Sequence, residues 1–176
     1  MAAEPEAITS VLENSRDGVD YEVLPPRIKE ALLAVNNKLD LFYDNHFLGG
    51  SYRFGWATEH SDIDIMVYAP TERVEQEQVP DVHHLIYGLG ATICNKDLNY
   101  PFSILLQTEY FGIKVHLSVT TDINRFDSLF RQHKIVSVLV YKYPILCDLM
   151  RLVRMSGAQK FRALLRVASD YRVKAI

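Results

Sequence analysis

Residues 50 to 64 read Gly50-Ser51-Tyr52-Arg53-Phe54-Gly55-Trp56-Ala57-Thr58-Glu59-His60-Ser61-Asp62-Ile63-Asp64, and they hold most of the chain's potential for chemistry. The Gly-Ser pair closes an apolar run, Phe47-Leu48-Gly49. Two aspartates then alternate with Ile63, Ile65, Met66 and Val67 in a second one. Residues two apart on a strand share a face, so Asp62 and Asp64 are expected to project side by side. Adjacent carboxylates repel unless a cation lies between them. Hard divalent ions such as Mg²⁺ accept such oxygen ligands and commonly share them with substrate phosphates. Gly50 and Ser51 supply unhindered backbone N–H groups and a hydroxyl at a turn expected to open a helix, a favourable setting for phosphate oxygens. Metal ligands beside a phosphate cradle point to phosphoryl or nucleotidyl transfer.

Gly50-Ser51, ten intervening residues and then Asp62-x-Asp64 in a hydrophobic strand resemble the signature of the nucleotidyltransferase superfamily typified by DNA polymerase beta. The longer string, with its aromatic-Gly pair and Ser-Asp-x-Asp, is similar to short nucleotidyltransferases of bacteria and phages. The motif spans about fifteen residues, and the matching order of elements extends over roughly residues 27 to 120. The resemblance implies an α+β fold with a mixed sheet and flanking helices. It also implies Mg²⁺ or Mn²⁺ on Asp62 and Asp64, an NTP substrate whose triphosphate lies on Gly50 and Ser51, and transfer of an NMP to an acceptor hydroxyl; Arg53 lies within reach of that triphosphate if the loop wraps it, or is solvated. The acceptor it leaves open: nucleic acid, protein or small molecule.

Members of this superfamily place a third carboxylate on a later strand. The corresponding apolar run here is Ile113-Lys114-Val115-His116-Leu117-Ser118-Val119, with His116 where the family has Asp. Imidazole is a poor Mg²⁺ ligand but a good base near neutral pH. If Phe111-Gly112 form a two-residue hairpin, Glu109 pairs with Lys114 and Gln107 with His116. Glu109 then lies one diagonal step from His116 and could supply an oxygen, or simply pair with Lys114. The departure at His116 leaves a second expectation open: a catalytically degenerate member that acts as a binding, inhibitory or antitoxin-like partner, such as a phage could encode.

The elements that must position these residues follow from periodicity. Pro26 opens a helix whose apolar residues are Ile28, Leu32, Val35, Leu39 and Phe42. A short strand at Phe47-Leu48 delivers the loop, and the strand from Asp62 to Tyr68 carries the carboxylates. A polar stretch, 71 to 78, ends before Pro80, and a helix is expected from about Asp81 to Tyr87. Strands are expected at Ala91–Asn95, Ser103–Tyr110 and Ile113–Val119. Thr121 or Asp122 caps a helix to about Tyr141, Pro144 starts another, and a last helix follows Ser156-Gly157. The domain expectation is an arm over 1–25, a nucleotidyltransferase-like core over 26–120 and a helical extension over 121–176 packed on that core.

At 176 residues, 48% hydrophobic and 23% charged, the chain is long enough and apolar enough for a true core. Its net charge is −3, unevenly spread. From Arg151 onward there are seven Lys/Arg against Asp170 alone, +6, which leaves −9 on the first 150 residues. A basic C-terminal segment is compatible with nucleic acid, or it is the solvated face of amphipathic helices. His83-His84 and His133 lack zinc-site spacing, and Trp56 is expected to pack over the sheet edge. Two cysteines, Cys94 and Cys147, make no disulfide framework. The acidic N-terminus lacks the features of a secretory signal, and no apolar run spans a bilayer. A reduced, cytoplasmic protein without membrane contact is expected.

Overall fold

The computed structural model describes residues 24–58, 60–70, 82–97 and 103–155. The polar stretch at 71–78, most of the expected arm and the helix after Gly157 lie outside them, as does most of the basic tail. Along the described chain run α1 (Pro26–Leu39), β1 (His46–Leu48), α2 (Gly50–Arg53), β2 (Ile63–Tyr68) and α3 (His83–Gly88). Then follow β3 (Thr92–Asp97), β4 (Ser103–Tyr110), β5 (Ile113–Thr120), α4 (Ile123–Lys142) and α5 (Ile145–Met155).

The five strands form one mixed sheet in the order β1-β2-β5-β4-β3. β2 and β5 pair in parallel at its centre, and the other pairings are antiparallel. Strand alternation separates the two faces. Ile63, Ile65 and Val67 on β2 and Val115, Leu117 and Val119 on β5 are buried on one face. They join Ile28, Ala31, Leu32, Val35 and Leu39 of α1 and Leu85 of α3 in a single core. This two-layer packing gives the helix and the sheet one apolar face each to bury. It is the expected α+β architecture.

The hairpin joining β4 to β5 turns at Phe111 and Gly112, with φ of 55° and 71°. Two positive φ values in a two-residue loop match the right-handed twist of the flanking strands. The register follows: Tyr110 opposite Ile113, Glu109 opposite Lys114, Gln107 opposite His116. Arg27 donates to the Phe111 carbonyl and holds the tip against α1.

α1 ends at Leu39, one turn earlier than its apolar spacing predicts. The chain turns there, with the Tyr43 N–H donating to the Leu39 carbonyl at 2.8 Å. Tyr43 therefore enters the core, while Phe42 is half exposed and stacks on His84 at 4.1 Å. β3 starts one residue later than predicted and carries a bulge between Ile93 and Asn95. No described helix is long and apolar enough to cross a membrane.

Candidate active site

The second face of the sheet carries the polar residues. Asp64, Met66 and Tyr68 alternate with the buried residues of β2, as Lys114, His116 and Ser118 do on β5. α4 covers one end of this face: Phe126 meets Phe47 of β1 at 5.2 Å and Tyr68 at 6.1 Å. Asp122 fixes the start of that helix by accepting from the N–H groups of Asn124 and Arg125. The other end of the face, with Asp64 and His116, stays accessible.

Asp64 and His116 are directly paired in the parallel register of β2 and β5. Asp62 lies just before β2, at the mouth of the loop. His116 Nδ1 is 3.7 Å from Asp62 Oδ2 and 3.7 Å from Asp64 Oδ1. These distances lie within ion-pair range but are longer than a hydrogen bond. All three side chains keep contact with solvent, His116 least, at 26% exposed. Thus the two carboxylates and the imidazole expected from sequence meet at one point.

The loop reaches the same point from below. Gly49 N–H donates to the Asp64 carbonyl at 2.7 Å, which ties the loop to β2. Gly50 then adopts φ +61°, and a Cβ placed on it would lie 2.0 Å from Asp64 Oδ2. Only glycine leaves that space beside the carboxylate. Ser51 follows in the single turn of α2 and is buried. Further along, Thr58 and Ser61 close a small turn through Thr58 N–H to Ser61 Oγ at 2.8 Å, which returns the chain to Asp62.

One candidate is placed differently from expectation. Arg53, expected over a triphosphate, is buried under the loop, with Nη1 donating to the Leu48 carbonyl at 2.8 Å and Nε to Ser137 Oγ at 3.1 Å. Its guanidinium lies over the rings of Phe47 and Phe130. Glu109 keeps its expected register: it is exposed opposite Lys114, toward the hairpin end, and Gln107 is the residue directly across from His116. Trp56 is buried, in ring contact with Phe54 at 4.6 Å.

His133 has a structural part that its isolated position in sequence does not reveal. Its ring stacks on Phe54 and meets Phe47 edge-on, and Nδ1–H donates to the Leu129 carbonyl at 2.8 Å. Nε2 thereby faces Gly49, 3.4 Å from where a side chain there would begin. Burial pushes its pKa below the usual 6.5 and the nearby Arg53 charge adds to this, while the Leu129 bond opposes them. The signal for this packing was present as a helical stripe: Phe126, Phe130, His133, Ser137 and Val140 recur at intervals of four and three.

Among the described residues no three His, Cys, Asp or Glu side chains form a ready-made metal cage. The donors still suit a hard divalent cation. Mg²⁺ is usually held by one or two carboxylates together with substrate phosphates and water. Asp62 and Asp64 are such a pair, and the Gly50 backbone clears the space beside Asp64.

No curated protein and no solved structure gives a significant match to the chain. A family model for the nucleotidyltransferase domain matches residues 28–155, well over half its length, from α1 through the loop, the carboxylate strand and β5 to the end of α5. On that match and this geometry, the chain belongs to the nucleotidyltransferase domain family.

Proposed function

We propose that this protein transfers an NMP from an NTP to an acceptor hydroxyl, and that Asp62, Asp64 and His116 carry the reaction. The observation that carries this reading is the convergence of both carboxylates on the His116 imidazole at 3.7 Å. Asp62 and Asp64 would hold a divalent cation, Mg²⁺ or Mn²⁺. Bound there, it supplies charge stabilisation at the α-phosphate and on the departing pyrophosphate. Gly50 and Ser51 would hold the triphosphate through backbone N–H groups and the Ser51 hydroxyl.

His116 replaces the family's third carboxylate as the base. With Nδ1–H turned toward the carboxylates, Nε2 carries the lone pair. The acceptor O–H proton passes to Nε2, the oxygen forms its bond to the α-phosphorus, and the bond from that phosphorus to pyrophosphate breaks. Arg53 acts here as scaffold under the loop, and Glu109 stands outside the converging group.

The test is incubation with each labelled NTP, Mg²⁺ or Mn²⁺, and nucleic-acid and protein acceptors. Label transfer is expected with wild type and lost in Asp62→Ala/Asp64→Ala. Transfer that survives the double substitution overturns the assignment. The imidazole in the carboxylate position supports one other reading, a non-catalytic binding partner. A stoichiometric partner retained by the double variant, with no transfer by wild type, would establish that instead.

A further inference from the structure

One row of side chains crosses the open face of the sheet through the candidate base. The register pairs Asp64 with His116, His116 with Gln107 and Gln107 with Thr92. The two-residue turn makes Tyr110 and Ile113 a backbone-bonded pair, and alternation makes Gln107 and His116 a non-bonded one. Such pairs bring Cα atoms to about 4.5 Å and their side chains closest together. Gln107 is therefore the nearest cross-strand neighbour of His116 on the side away from Asp64.

The bulge in β3 bears on the same amide. A bulge re-aims side chains, and here Cys94 lies within it, with its thiol donating to Gln107 Oε1 at 3.5 Å. With Oε1 held by the thiol, the two N–H donors of Gln107 Nε2 are turned away from β3. The residue directly across from the proposed base thus carries a neutral amide.

We propose that Gln107 binds a second oxygen of the acceptor, adjacent to the attacking one, and that the acceptor is consequently the ribose cis-diol at an RNA 3′ end. This rests on the transferase reading above. In a cis-diol the attacking hydroxyl meets His116 Nε2 while its neighbour accepts from Gln107 Nε2. A 2′-deoxyribose end has the attacking hydroxyl but leaves the amide unmatched, and a serine or tyrosine hydroxyl has no vicinal partner. A site built to hydrogen-bond a hydroxyl discriminates against the analogue that lacks it, because the polar group is left unpaired.

The experiment uses the full chain, labelled NTP and Mn²⁺ with two oligonucleotides of one sequence, ending in ribose or in 2′-deoxyribose. Wild type is expected to favour the ribose end by roughly tenfold. Gln107→Met, close in shape but without the amide, should bring the ratio near one. Should Gln107→Met fail to fold, Cys94→Ala removes the thiol that orients the amide and should reduce the ratio, while Cys94→Ser should keep it. Equal use of both ends by wild type, a ratio unmoved by these changes, or label found on protein overturns this inference and leaves the transferase reading standing. No Asp62- and Asp64-dependent transfer to any acceptor removes both.

Discussion

Gly50 and Asp64 fit together only because Gly50 has no side chain. The glycine sits at φ +61°, and the carboxylate oxygen of Asp64 occupies the position next to where its Cβ would be. The loop and the strand that carry the proposed chemistry are thus shaped against each other. The Gly49 N–H to Asp64 carbonyl bond fixes the distance between them.

Gly50→Ala should therefore damage both stability and site. The left-handed backbone costs a residue with a Cβ about 1–2 kcal/mol, and Asp64 must rotate away from a contact no real atom pair makes. Chemical denaturation should show a loss of that size. Mn²⁺ with NTP is expected to raise the Tm of wild type, and that rise should vanish in the variant. A variant as stable as wild type, with the metal response intact, would mean that the loop is free to move off the strand.

His116→Asp should restore the third carboxylate of the superfamily. A third hard oxygen ligand at this point favours Mg²⁺ relative to Mn²⁺. Transfer rates should then shift in favour of Mg²⁺, and His116→Ala should lose transfer with either metal by about 10²-fold or more. Without metal, three carboxylates at one point repel, so His116→Asp should melt lower in chelator than wild type. If His116→Ala retains full activity, the imidazole is a bystander.

The sequence carried the architecture to the site closely, because each feature that set it was local. Alternation assigned the faces of β2 and β5, and the Phe111-Gly112 turn fixed the register that puts Gln107 opposite His116. What it missed depends on contacts between distant elements. Arg53 reads as a loop arginine next to a phosphate motif. Its burial comes from Leu48 and Phe47 on β1 and from Phe130 and Ser137 on α4, a helix some eighty residues on. His133 had no titratable partner at a meaningful spacing, and only the approach of α4 to the loop puts it against Gly49. Tyr43 and Phe42 exchanged places because α1 stops at Leu39, and helix ends are weakly encoded by apolar spacing.

Asp122→Ala should weaken the attachment of α4. The side chain satisfies two N–H groups at the helix start, and losing such a cap costs about 1 kcal/mol. Hydrogen exchange should report faster opening in the first turns of α4, around Phe126, with little change in β4 and β5. Uniformly faster exchange over the whole sheet would mean that α4 and the sheet open as one unit.

The last prediction concerns acid. Burial holds the folded-state pKa of His133 below 6.5, its ordinary value, so the imidazole stays neutral in the folded protein where it is already protonated in the unfolded chain. Between the lowered value and 6.5 the unfolded state binds more protons, and stability must rise with pH across that window. Its stabilising contribution is complete above 6.5 and disappears as pH falls through the folded-state value. His133→Phe keeps an aromatic ring against Phe47 and Phe54 but cannot take a proton. Denaturation midpoints measured from neutral to mildly acid pH should fall for wild type and fall less for His133→Phe. Because His133 abuts Gly49, the same acidification should loosen the Gly49–Ser51 loop before the sheet, seen as earlier exchange at Gly49 and Gly50 than in β5. Parallel pH curves for the two proteins would show that His133 titrates freely and that the loop owes it nothing.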